Sequence, residues 1–190
     1  MASPVHPRLD NLLGSLTLNL AQDATAALER SSRLAGSAAA ALLALEEFLG
    51  DAHVGRLADV LGLTHSGAVR LVAQLEAEGL AERCTGTDRR RVEVRLTARG
   101  RRRAATARAA RDAVVCQSTA GLNANEAATL EGLLAQLVEA RVSARIERRL
   151  ARESADDRSA WWCRTCNFAA CGRPEGRCPA QVAAATMLDG

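Results

Sequence analysis

The 190-residue chain has no tyrosine and no lysine, and its only aromatic residues besides histidine are two phenylalanines and two tryptophans. With so few rings, a core must be built from Ala, Leu and Val, which favours helices. No apolar run approaches the ~20 residues that span a bilayer. The opening MASPVHPRL lacks the basic-then-apolar order of a secretory signal. These absences predict a cytoplasmic protein with reduced thiols and no membrane partner. Histidine is scarce too: there are three, none placed beside a plausible nucleophile. A glycine-rich phosphate loop and a tight helical carboxylate pair are also missing, so an enzyme is not expected.

What is present is arginine. All 25 basic residues are arginine, yet the net charge is only +3. Between Glu82 and Arg103 stand nine arginines and three acids, a local +6 that leaves −3 for the rest. A basic patch on a slightly acidic chain predicts a polyanion met at one place. The competing reading is a solvated arginine-rich face.

Apolar spacing divides the chain. Leu9, Leu12, Leu13, Leu16, Leu20, Ala24, Ala27 and Leu28 predict one long amphipathic helix over residues 6–33, with Pro7 in its first turn and Gly36 ending it. Ser37 is expected to cap a second helix reaching Leu49, with Ala38, Ala41, Leu42, Leu45 and Phe48 on one face. Gly50 and Asp51 break it, and His53-Val54 read as a short strand. A third helix over 56–61 stops at Gly62. Thr64 or Ser66 then caps a fourth, running to about Glu78 and closed by Gly79. Its inward set is Ala68, Leu71, Val72 and Leu75; Ser66, Gly67, Val69, Arg70, Ala73 and Gln74 face outward.

Residues 80–83 and 91–96 read as two strands around a Thr-Gly-Thr-Asp turn, the second a half-buried edge in which Val92, Val94 and Leu96 alternate with Glu93 and Arg95. Residues 97–117 are helical again. Asn123 or Asn125 starts a last helix whose stripe runs Leu130, Leu133, Leu134, Leu137, Val138, Val142, Ile146, Leu150. Long stripes at both ends of the unit predict terminal helices that pair with a second subunit.

The pattern from 53 to 100 is helix, tight turn, helix, hairpin: the parts of a winged helix-turn-helix, which puts one helix and one hairpin on double-stranded DNA. The side chains near the start of such a helix reach base edges. Here they are His65, Ser66, Gly67, Val69 and Arg70. Arg70 suits guanine, Val69 a thymine methyl, and Ser66 base or phosphate. At the hairpin tip, Arg89, Arg90 and Arg91 suit a narrow minor groove, with Asp88 pinning the turn or a neighbouring arginine. Arg101, Arg102 and Arg103 read as phosphate contacts or ion pairs.

The stretch LADVLGLTHSGAVRLVAQLEAEGLAERCTGTDRRRVEVRLTARG resembles the MarR family of bacterial regulators. The likeness lies in the Leu-Gly-Leu turn, the Arg-Leu-Val…Leu-Glu…Gly-Leu helix, and the wing ending Asp-Arg-Arg…Leu-Thr…Gly, and it covers about residues 9–150. It implies a mainly α fold with a small β-hairpin: a MarR-like homodimer with interlocked terminal helices and two winged modules. It also implies repression at pseudo-palindromic operators, relieved by a small phenolic or anionic effector or by cysteine oxidation. Gly67 and Val69 depart from the polar residues common there.

The expected organisation is a winged domain over 1–150, with its DNA module at 53–100 and dimerisation helices at 7–35 and 101–150. A linker over 151–160 and a cysteine-rich tail over 161–181 follow. In that tail, Cys163-x2-Cys166-x4-Cys171-x6-Cys178 supplies four thiols with spacing close to a zinc knuckle. One zinc per chain is the first reading, an iron–sulfur cluster its rival because Cys178 precedes proline, and a reversible disulfide the third. The tail is foreign to the MarR pattern. Trp161, Trp162 and Phe168 are expected to cover it, since so short a segment cannot build a core alone. Cys84 and Cys116 read as buried small hydrophobes. Two rival functions stay open: a metal or redox sensor whose signal enters at the tail, and a winged module that docks protein without touching DNA.

Overall fold

The computed structural model describes residues 6–50, 52–85, 92–150 and 160–188. Ten elements follow in order: α1 (Pro7–Ser32), α2 (Ser37–Glu47), β1 (Ala52–His53), α3 (Val54–Leu61), α4 (His65–Ala77), β2 (Ala81–Thr85), β3 (Val92–Leu96), α5 (Ala98–Thr119), α6 (Ala124–Leu150) and α7 (Pro179–Leu188). The result is a mainly helical winged helix-turn-helix with a small antiparallel sheet, as the sequence implies.

The core centres on α2. Ala39, Ala41, Leu42, Leu43 and Ala44 have no exposure at all, and Ala38 and Leu45 almost none. The expected single apolar face is therefore incomplete, because α1, α3, α4, α5 and β3 all touch this helix. A helix without a polar side must be enclosed on every side. Its start also differs from expectation. Arg33, left-handed at φ 55°, ends α1, and Gly36, at φ 54°, is the cap residue of α2. The Glu29 carboxylate accepts the Gly36 N–H at 2.6 Å, so Ser37 falls inside the helix instead of capping it.

The sheet order is β1-β3-β2. β3 is thus the central strand, not an edge: Val94 stands opposite Ala52 on one side and Arg83 on the other. The two-residue β1 is too short to leave a period in the sequence, yet it covers that flank. Val94 and Leu96 point into the core while Val92 stays half exposed.

α5 starts where the hairpin ends, and the joint is tight. The Thr97 N–H donates to the Leu80 carbonyl (3.0 Å) and its hydroxyl to the Gly79 carbonyl (2.8 Å). The same hydroxyl accepts the Gly100 N–H at 3.0 Å, capping α5. A Cβ on Gly100 would sit 1.9 Å from the Leu80 oxygen. Beyond α5, Asn123 (not Asn125) caps α6 by accepting the N–H groups of Asn125 and Glu126, while Glu126 accepts the Asn123 N–H.

The tail ends in a helix that the apolar spacing does not announce. α7 lays Ala180 and Ala183 against Val142, with Val138 and Ile146 beside them, and α6 meets the rest of the chain mainly through it. Pro179 at its first position is the available signal. Cys116 is another correction: it is exposed, although Val114 and Val115 precede it. Among the described residues no helix is long and apolar enough to cross a membrane.

Replacing Gly100 by alanine should therefore force the α5 start away from Leu80. A loss of ~1–3 kcal/mol or more is expected, read as a lower urea midpoint with an unchanged denaturant slope.

Candidate nucleic-acid interface and cysteine tail

The helix expected to meet DNA is α4. Thr64, extended at φ −68° and ψ 156°, caps it by accepting the Gly67 N–H at 3.0 Å. Ser66 is not the cap; its hydroxyl lies 3.2 Å from that of Thr64. Ala68, Leu71, Val72 and Leu75 are buried, which rotates His65, Ser66, Val69, Arg70, Ala73 and Gln74 to the exposed side, with Gly67 half exposed. The helix N-terminus thus presents backbone N–H groups and a positive dipole end outward, an arrangement suited to anions.

α4 is fixed to the hairpin by one side chain. Glu76 accepts the Arg83 N–H at 3.1 Å and pairs with its guanidinium at 2.8 Å. Both partners are about a third exposed, so the ion pair contributes at most ~1 kcal/mol. An open groove of 710 Å³ lies between the α3 start, the α4 start and the hairpin, lined by His53, Gly55, His65, Val69, Arg83 and Val92. His53 has a role that spacing alone does not suggest: its Nδ1 accepts the Arg56 N–H at 3.0 Å and caps α3. Only its place just before a helical stretch hints at this.

Asp88, Arg89, Arg90 and Arg91 lie outside the described residues. Of the arginines just beyond, Arg101 donates to the Leu96 carbonyl (2.7 Å) and Arg103 to the Ser32 carbonyl (2.6 Å). Both therefore brace the backbone, a use that the expected phosphate or ion-pair roles leave out.

The four tail cysteines come together as two pairs. The Cys166 N–H donates to the Cys163 carbonyl at 3.0 Å, making a tight turn. Gly172 and Gly176, at φ 70° and 71°, turn the chain again so that the Arg177 N–H reaches the Gly172 carbonyl at 2.8 Å. Cys163, Cys171 and Cys178 share one apolar cluster with Val142, Ala180 and Ala183. Hydrogen bonding from Cys166 pulls the Cys163 thiol down to about 6 against the opposing cost of burial, helped by the Arg173 guanidinium. The same hydrogen bond and burial push Cys166 up. Burial, together with Cys178, pushes Cys171 up. All six cysteines are free thiols, and among the described residues no three Cys, His or carboxylate donors already form a metal-ready cage.

Trp161 and Phe168 reach from the tail to the winged unit. They stack on Phe48 at the end of α2, with ring centres 6.4 and 5.1 Å away. Backbone bonds fix them there: the Trp161 N–H donates to the Val60 carbonyl at 2.8 Å, and the Phe168 N–H to the Glu47 carboxylate at 2.5 Å. Arg56 lies over the Trp161 ring at 4.0 Å. From α5, Arg108 donates to the Cys166 carbonyl at 2.9 Å while pairing with Glu46 and Glu47. Trp162 remains exposed.

Comparison with known proteins bears on this arrangement. A model of the MarR family matches residues 34–91, and no curated protein matches the chain. The YusO protein of Bacillus subtilis is 21% identical over 70% of this chain and 94% of its own, with a TM-score of 0.62. A MarR family protein of Bacillus stearothermophilus is 25% identical over 70% and 96%, at 0.60. CouR of Rhodococcus jostii, solved bound to p-coumaroyl-CoA, is 25% identical over 72% and 95%, at 0.52. The chain therefore carries the winged-helix fold of MarR-type proteins.

The α4 cap should be separable from the surface it presents. Thr64→Ala is expected to cost ~1 kcal/mol of stability, and Thr64→Ser to restore most of it, in thermal melts followed by circular dichroism.

Proposed function

We propose that the chain is a sequence-specific DNA-binding transcriptional regulator, acting as a homodimeric repressor on pseudo-palindromic operators. The observation that carries this reading is the α4 surface: a capped N-terminus with Ser66, Val69 and Arg70 outward, beside an open groove running to the hairpin. Two such helices fit successive major grooves about 34 Å apart. Arg89, Arg90 and Arg91 then supply sequence-independent affinity from the wing.

Leucines left in water support the dimer. Leu9, Leu12, Leu16 and Leu18 on α1, and Leu133, Leu134 and Leu137 on α6, are each 45–74% exposed in the single chain. So many apolar side chains on two helices suit a second copy. A 510 Å³ cavity edged by Ala24, Leu28, Ala40 and Leu61, with Arg111 and Arg164 at its rim, suits a small anionic effector. This accords with the CoA ester on CouR.

Binding should fall steeply with salt. Arg90→Ala should weaken all sequences about equally and flatten the salt dependence by about one unit. Arg70→Ala should cost ~1–3 kcal/mol and relax preference at one base position. Selection from a random duplex pool reads both. Uniform loss with preference intact would remove Arg70 from base reading, and no salt-dependent binding at all would turn the module into a protein-docking one.

Sedimentation should give twice the 20.1 kDa chain mass. Leu137→Glu, at a site 47% exposed in one copy, should shift it toward the monomer.

A further inference from the structure

The tail cysteines lie where a change among them meets the regulator's working parts. Each aromatic anchor is two residues from a cysteine: Trp161 before Cys163, and Phe168 after Cys166. Both rings seat on Phe48, and Trp161 also holds the Val60 carbonyl on α3 and lies under Arg56 at its start. On the other side, Cys178 and the α7 start pack on Val142 of α6. So short a segment has no core of its own, and its shape must come from what joins the cysteine turns.

The donor set narrows what that is. Four soft sulfurs at this spacing suit a thiophilic ion, which hard oxygen-seeking cations do not match. Four thiolates on a divalent ion leave a net charge of −2. One arginine is placed to offset part of it: the Arg173 guanidinium is 4.0 Å from the Cys163 sulfur.

We propose that Cys163, Cys166, Cys171 and Cys178 bind one thiolate-ligated metal centre, zinc or an iron–sulfur cluster, and that its presence keeps Trp161 and Phe168 docked on Phe48. Metal loading then sets the placement of α3, and through the turn at Gly62 the placement of α4. The coupling to DNA rests on the regulator reading above; the metal site and the docking do not.

Full-length protein purified without oxygen or chelator should carry about one zinc per chain, or iron with sulfide and absorption near ~400 nm. Either is the proposed centre, and colour with elemental analysis tells them apart. Cys166→Ser and Cys171→Ser should each lose the metal, and Cys116→Ser should keep it. In Trp162→Phe protein, where Trp161 is the sole tryptophan, metal removal should shift emission to longer wavelength as the ring leaves Phe48 for water. Helical circular dichroism should stay largely unchanged, because the winged core does not depend on the tail. Affinity for a random duplex pool should fall about tenfold.

Wild-type protein without metal, or one whose four thiols pair as disulfides on purification, overturns the site. So does metal retained by both serine variants. Trp161 emission unmoved by metal removal overturns the docking, and unchanged or tighter duplex binding overturns the transmission. Protein that shows the metal and the emission shift yet never binds duplex refutes the DNA-binding reading while upholding this one.

Discussion

The enclosure of α2 is the constraint on which the rest depends. A helix with Ala38, Ala39 and residues 41–45 all buried has to be walled by α1, α3, α4, α5 and β3 together. That requirement fixes α4, the hairpin and the long α5 in one frame. Alanine makes it workable. Ala39, Ala41 and Ala44 let neighbouring backbones approach closely, and leucines fill what remains.

The few rings in the chain are used elsewhere. Three of the four Phe and Trp side chains gather at the far end of α2, where Phe48 leaves the helix. They join the winged unit to a segment foreign to it. The same segment reaches α6 through α7, so it touches both α3 and the terminal helix α6. Arg108 ties these contacts together, its side chain 12% exposed and its guanidinium shared among Glu46, Glu47 and the Cys166 carbonyl. Such a network is costly to break in part, because any one partner removed leaves charge half buried.

Much of this was legible in the sequence, for physical reasons that also mark where legibility stopped. α4 has one wet face, so its 3.6-residue period names Ala68, Leu71, Val72 and Leu75 as inward and leaves Ser66, Val69 and Arg70 outside. α2 has no wet face, and a period cannot reveal complete enclosure. β3 reads as an edge because its partner β1 is two residues long. Gly36 takes the cap position expected of Ser37 because the group that satisfies the helix start, Glu29, comes from the preceding helix. Four cysteines at tight spacing stand out in the sequence. The seat of Trp161 and Phe168 on Phe48 does not show, since nothing local in either segment points to the other. Cys116 looks buried beside two valines, but burial depends on which face of α5 meets α1.

The contact between Gly100 and the Leu80 carbonyl has a mechanical consequence. It leaves no slack at the joint, so the hairpin base and the first turn of α5 move as one rigid piece. α5 has 22 residues, hence a length of about 33 Å. Such a rod works as a lever arm with its fulcrum at the wing: a tilt of only ~5° at the joint displaces the far end by ~3 Å. Arg108 grips the tail partway along that arm. Because α1 and α2 also pack along α5, any such tilt has to carry them with it.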